Sequence, residues 1–154
     1  PRNHSALVLL GSARLMGGRP AEAVAPLTRA TEIAPGNAEA HFNLGLACIA
    51  VGQPAKAEAA WRRSLAINPR RHDAAANLID LMLRAKRLDD AQAALNEARR
   101  HQLEDPMLDF LEGRLAIQRR DAPRARAALN RALQRQLPEP AASQARELLR
   151  RLPS

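Results

Sequence analysis

Aromatic side chains are scarce in this chain, at 2% of its 154 residues, although 46% of the residues are hydrophobic. A core must therefore be built from alanine, leucine and isoleucine. Side chains this small allow helices to approach closely, because the distance between packed helices depends on the residues at the contact.

Metal-binding and catalytic patterns are also missing. Cys48 is the only cysteine, so no intrachain disulfide or thiolate cluster can form, and cytoplasm and periplasm both stay open as compartments. There is no H-E-x-x-H sequence and no phosphate-binding G-x-x-x-x-G-K-[ST] sequence. We expect a protein that is not an enzyme, with no metal, no cofactor and no small-molecule substrate. Cys48 is expected to be a buried, inert thiol.

Long apolar runs are absent, since runs such as Ala6–Leu10 are far shorter than the ~18–20 residues of a membrane-spanning helix. The formal net charge is +8, and nearly all basic residues are arginines. Seven of them lie between Arg114 and Arg135, where Asp121 is the only acid. This run permits nucleic-acid binding, but it has no aromatic residues for base stacking, so we expect a solvated helix face.

A 34-residue period dominates the chain. Alanine recurs at Ala23, Ala57, Ala91 and Ala125, and twelve residues earlier stand Gly11, Gly45, Ile79 and Gly113. A fixed period in this range is typical of solenoids built from repeated helical units.

The segment 38–71 is the clearest unit. Two apolar stretches of helical periodicity are separated by Gly52-Gln53-Pro54, and the second ends before Pro69. The unit contains His41-x₂-Leu44-Gly45-x₂-Cys48, then Ala57-x₃-Trp61, then Pro69. It thereby resembles the tetratricopeptide repeat, whose pattern is W-x₂-L-G-x₂-Y, then A-x₃-F, then P. The third unit has Ile79 in place of the glycine, and the fourth has Glu112 where Leu is usual.

The resemblance implies an all-α, right-handed α-α superhelix of four helix-turn-helix units in one domain, 1–154. The units are 4–37, 38–71, 72–105 and 106–139, and a capping helix follows at 141–152. Because the chain begins with Pro1 rather than Met, we expect it to be a fragment of a longer protein. Self-association through its N-terminal end is one further expectation.

Recurring small residues are expected where the two helices of a unit cross, because a Cβ there would hold the backbones apart. Trp61 is expected to fill the space between units. The structural positions are Gly11, Ala23, Gly45, Ala57, Trp61, Ala91, Gly113 and Ala125.

The resemblance also implies a concave groove, lined by the first helix of each unit, that binds a partner protein or an extended peptide. Repeat phase gives the candidate residues; the alternative is that their side chains pack against neighbouring first helices. Asn43 and Asn77 occupy the same slot and look like the asparagine ladder of O-linked N-acetylglucosamine transferases. The groove set is Phe42, Asn43, Leu46, Ile49, Asn77, Asp80, Leu83, Phe110, Arg114 and Ile117.

We therefore expect a non-enzymatic interaction module or scaffold in a bacterial assembly, secretion or envelope complex. One alternative is a substrate-recognition or regulatory segment of a larger, transferase-like enzyme. Nucleic-acid binding through the arginine-rich surface is the less favoured alternative.

Overall fold

The computed structural model describes residues 3–153, which form nine α-helices and no β-strand. The helices are α1 His4–Met16, α2 Pro20–Ile33, α3 Ala38–Ala50, α4 Pro54–Ile67, α5 His72–Arg84, α6 Leu88–Arg100, α7 Pro106–Gln118, α8 Ala122–Gln134 and α9 Ala141–Arg151. The chain divides into two compact units, unit 1 up to Ala74 and unit 2 from Ala75. The predicted fold class, four helix pairs followed by a C-terminal helix, is confirmed.

Polar caps and prolines place the helix starts. The Asn37 side chain accepts a hydrogen bond from the Ala40 backbone N–H at 3.0 Å, and Asp105 accepts one from Met107 at 2.7 Å. Such caps satisfy backbone donors that a helix start leaves unpaired. α2 and α4 instead begin with Pro20 and Pro54, whose missing N–H costs nothing in the first turn.

The turn inside each helix pair contains a residue in the left-handed region, at Gly18, Gly52, Lys86 and Arg120, with φ of 69°, 75°, 56° and 61°. The next backbone N–H then bonds to the carbonyl five residues earlier, as from Gln53 to Cys48 at 2.8 Å. This arrangement is a Schellman C-cap, which usually uses glycine. The first two turns have glycine there and the last two do not.

Large side chains of the second helix cover the glycines of the first. A Cβ placed on Gly113 would lie 2.7 Å from Leu129, and one on Gly45 would lie 2.5 Å from Cδ1 of Trp61. The Trp61 indole N–H donates to the Phe42 carbonyl at 3.2 Å. Trp61 therefore packs on α3 of its own helix pair, and the expected packing between neighbouring repeats stays a prediction.

A cluster around α9 forms an apolar core of unit 2. Phe110 of α7 and Leu129 of α8 are buried together with Ala141 and Ala145 of α9, and Leu148 packs against them. α9 therefore packs an apolar face against α7 and α8. Between residues 3 and 153, no helix is long and apolar enough to cross a membrane.

Candidate functional site

Ser12 of α1 and Asn43 of α3 define a polar contact at the centre of one face of unit 1. The Asn43 side-chain N–H₂ donates to the Ser12 hydroxyl at 2.9 Å. Residues that follow one another along each helix at steps of three or four positions extend this face. We call it the α1–α3 surface, and it consists of Leu9, Ser12, Met16, Asn43, Leu46 and Ile49.

Large apolar side chains are exposed on this surface. Leu9 is 71% exposed, Met16 90% and Ile49 37%, while Leu46 is half-buried. Among residues 3–153, the exposed large hydrophobic side chains all lie on α1 and α3, the fourth being Leu10. The second helices α2 and α4 expose only small, polar or charged residues, such as Ala25 and Arg62. The apolar exposure is thus confined to first helices.

Phe42 is also on α3 but is partly covered. The Arg71 guanidinium lies over its ring at 4.3 Å from the centroid, a cation–π geometry. Arg71 also donates two hydrogen bonds to the Asp73 carboxylate, at 2.9 and 3.1 Å. This pairing holds the guanidinium on the ring, so Phe42 is less available than its repeat position predicts.

Two titratable groups lie on the packing side of α3. Burial lowers the pKa of His41, and the nearby Arg63 charge lowers it further, although the ring nitrogen contacts the Pro35 carbonyl at 3.1 Å. Burial raises the pKa of the Cys48 thiol, which is 1% exposed. A buried thiol with a raised pKa is a poor nucleophile.

The remaining predicted groove residues belong to unit 2, where three of them meet. Arg114 of α7 donates to the Asp80 carboxylate of α5, and its guanidinium lies 5.8 Å from the Phe110 ring centroid. Arg84 forms an ion pair with the other Asp80 oxygen, with a nitrogen–oxygen distance of 2.7 Å. One carboxylate therefore serves two arginines.

Burial removes two residues from the candidate contact set. Leu83 is 1% exposed and Phe110 is 3% exposed. Phe110 is buried because α9 packs over it. Ile117 is half-buried against the same cluster, and Asn77 is half-buried with a polar partner of its own.

Acidic residues pair with much of the arginine run. Arg119 bonds to Asp89 at 2.6 Å and Arg124 to Glu112 at 3.0 Å. Arg131 bonds to Asp109, and the hydrogen bond to that carboxylate is the main reason why the pKa of Arg131 is raised. A run that carries one acid in sequence is thus partly neutralised by acids from outside it, which weakens the case for phosphate binding.

Asp109 is a residue that the sequence analysis did not single out. It is fully buried and accepts hydrogen bonds from Arg99, Arg131 and Arg135. The sequence feature that could have indicated this cluster is a pair of acids, Asp109 and Glu112, three residues apart. They stand at repeat positions that lie on the packing face of the first helix in the other repeats. Within the described part of the chain, no group of three or more His, Cys, Asp or Glu residues could hold a metal ion.

Family comparisons match residues 1–38 and residues 38–71 to the tetratricopeptide repeat. The chain carries tetratricopeptide repeats. Its repeats resemble those of PilF from Pseudomonas aeruginosa, with a TM-score of 0.78, 22% identity, and coverage of 98% of this chain and 77% of that one.

Two further solved structures have the same tetratricopeptide fold. MamA has a TM-score of 0.78 at 22% identity over 87% of this chain and 73% of MamA. PilW, described as a widely conserved type IV pilus biogenesis factor, has a TM-score of 0.78 at 19% identity over 95% of this chain and 70% of its own. No curated protein matches the sequence. These likenesses establish the fold.

Proposed function

We propose that this tetratricopeptide repeat protein is an interaction module that binds an extended segment of a partner protein on the α1–α3 surface. Leu9, Met16 and Ile49 supply apolar contacts, and Asn43 offers a hydrogen bond to the bound backbone. Apolar contacts combined with hydrogen bonds to the peptide backbone are a recurrent mode of peptide recognition. The module would act as a scaffold in a bacterial assembly, secretion or envelope complex, a context supported by the likeness to PilW.

The observation that carries the proposal is the confinement of exposed large hydrophobic residues to α1 and α3. Burying such side chains contributes about 25 cal/mol per Å², whereas one hydrogen bond contributes roughly 0.5–1.5 kcal/mol. Micromolar binding needs about 8 kcal/mol. Apolar contacts must therefore supply most of the affinity, and Asn43 mainly fixes orientation.

The test selects peptides from a random display library on the full 154-residue chain and measures their affinity by fluorescence anisotropy. The variant Leu9→Ser/Met16→Ser removes the apolar contacts. The matched control, Ala25→Ser/Ala59→Ser, adds the same hydroxyls at exposed positions on α2 and α4. We expect at least a tenfold loss of affinity in the first variant only, with unchanged helical circular dichroism in both. Equal affinity of the two variants would remove the α1–α3 surface as the binding site.

A further inference from the structure

An open pocket of about 590 Å³ lies in unit 2 where the end of α5, α7 and α9 approach one another. We call it the α9 pocket. It is lined by Arg84, Arg114, Ser143, Gln144, Glu147 and Leu148. The pocket thus combines charged groups and polar side chains with one aliphatic wall.

Positive charge exceeds negative charge on the α5 and α7 side of the α9 pocket. Arg84 and Arg114 share the single carboxylate of Asp80. The Arg84 side chain remains 74% exposed. One guanidinium charge is therefore uncompensated there, and Arg84 retains donors that point to solvent, since a guanidinium has five N–H groups.

The α9 side of the pocket carries one charged residue, Glu147. Glu147 forms ion pairs with both Arg150 and Arg151, with nitrogen–oxygen distances of 2.7 Å each. The one acid that lines the pocket is thus already paired with two bases. The negative charge of Glu147 is therefore offset by its own helix, and the arginines that line the pocket come from α5 and α7.

Nucleic acid fits this pocket less well than an acidic peptide does. Sequence-tolerant binding of single strands relies on stacking of bases on exposed rings. The aromatic ring nearest the arginines, Phe110, is 3% exposed and packed under α9. Leu148 instead offers a half-buried aliphatic contact.

We propose that the α9 pocket binds an acidic side chain of a partner protein, in a short segment where Asp or Glu neighbours an aliphatic residue. The carboxylate bonds to Arg84 and Arg114, and the aliphatic neighbour packs on Leu148. The α9 pocket would be a second contact site beside the α1–α3 surface. It rests on the proposed interaction role only because its occupant is a segment of a partner protein.

The test uses a fluorescein-labelled, C-terminally amidated peptide of alternating Asp, Leu and Glu and its Asn, Leu and Gln counterpart. Both are titrated against the full chain by fluorescence anisotropy. The variant is Arg84→Gln, and the matched control is Arg100→Gln. Arg100 is also 74% exposed, and it also pairs with one acid on its own helix, Glu97.

We expect the acidic peptide to bind more tightly than its amide counterpart, and Arg84→Gln to weaken it about three- to tenfold. Arg100→Gln should leave the affinity unchanged. An equal loss in both arginine variants would mean a diffuse charge effect and would overturn the proposal. So would equal binding of the two peptides.

Three further arms separate the alternatives. An oligothymidylate that binds more tightly than the peptide and depends on Arg84 would favour nucleic acid and overturn the proposal. If the peptide binds only when its C-terminal carboxylate is free, the bound group is the chain terminus rather than an Asp or Glu side chain, and the proposal is overturned. The Leu9→Ser/Met16→Ser variant should bind the acidic peptide normally, so failure of the α1–α3 surface and failure of the α9 pocket are distinguishable.

Discussion

The α3–α4 pair of unit 1 and the α7–α8 pair of unit 2 stand at equivalent positions of the repeat, 68 residues apart, and differ in the chemistry at their centres. In the first pair, Gly45 lies against Trp61, and Leu44 packs on the apolar cluster that contains Ala47. In the second pair, the positions equivalent to His41 and Leu44 hold Asp109 and Glu112.

Three arginines compensate the acids of the second pair. Arg99, Arg131 and Arg135 all donate to Asp109, and Arg131 also donates to Glu112 at 2.7 Å. Every side chain in the cluster has a charged partner, the condition under which buried charge is tolerated. Small residues at the crossing thus determine how closely two helices pair, whereas neighbouring positions accept either apolar side chains or ionic side chains that are fully paired.

The largest expected effect is on the stability of the α3–α4 pair, whose centre is apolar. Trp61→Ala should lower the free energy of unfolding by roughly 3–5 kcal/mol, because it opens a cavity over Gly45 and removes the hydrogen bond to the Phe42 carbonyl. Leu129→Ala is the equivalent change in the α7–α8 pair and should cost less, since Leu129 is smaller. Urea unfolding followed by circular dichroism measures both, and an unchanged Trp61→Ala midpoint would contradict the packing role.

The α7–α8 pair, whose centre is ionic, should be destabilised when its buried acid is neutralised. Asp109→Asn leaves three arginines around a neutral amide, and loss of one partner in a buried ion pair costs roughly 3–5 kcal/mol. Because the three arginines are each about one-third exposed, we expect the lower end of that range.

Asp89→Asn is the matched control for this prediction. Asp89 also pairs with an arginine, Arg119, but its side chain is fully exposed. An exposed ion pair contributes little to stability, because solvent screens the two charges. Similar losses for Asp89→Asn and Asp109→Asn would mean that burial of Asp109 is not what makes its cluster important.

Sequence alone was enough for the periodic part of this structure. The spacing of Gly11, Gly45 and Gly113 predicts three close helix crossings, and Leu27, Trp61 and Leu129 pack on these glycines in the structure. Repeat phase gives the direction of a side chain but not what covers it. Phe110 was predicted from its repeat phase to line the groove, yet α9 buries it.

The ionic centre of the α7–α8 pair could not be predicted in the same way. Arg99, Arg131 and Arg135 are far from Asp109 in sequence, and only tertiary packing brings them to it. The partition of the groove residues between two compact units also depends on tertiary contacts. Groove binding by the full predicted set stays a prediction.

The turns inside the helix pairs also differ between the two units, and a smaller effect on stability is expected there. Gly52 and Lys86 occupy equivalent left-handed positions, with φ of 75° and 56°. Lys86→Gly should stabilise unit 2 by about 0.5–1 kcal/mol, because a residue with a Cβ is strained there. Gly52→Lys should destabilise unit 1 by a similar amount. Changes of the same sign in both variants, measured by urea unfolding, would rule out backbone strain as the cause.

The smallest expected effect is a pH dependence of the α3–α4 pair that arises from His41. Its pKa is lowered mainly by burial, so folding favours the neutral ring over the charged one. The stability from this group is fully present above about pH 6.5, the ordinary histidine pKa, and is lost as pH falls towards the lowered folded value. Between pH 7.5 and 5.5, urea unfolding followed by Trp61 fluorescence should therefore show a declining midpoint in the native chain.

His41→Gln isolates this effect from the other titrating groups. The carboxylates titrate mostly below pH 5, and His4, His72 and His101 remain in both proteins. The urea midpoint of the variant should fall less steeply between pH 7.5 and 5.5, because the His41 contribution is removed. At pH 7.5 its midpoint should be similar to that of the native chain. Parallel pH profiles for the native chain and the variant would mean that the charge of His41 is accommodated on folding. The α3–α4 centre would then tolerate charge much as the Asp109 cluster does, and the contrast between the two pairs would be one of composition rather than of electrostatic tolerance.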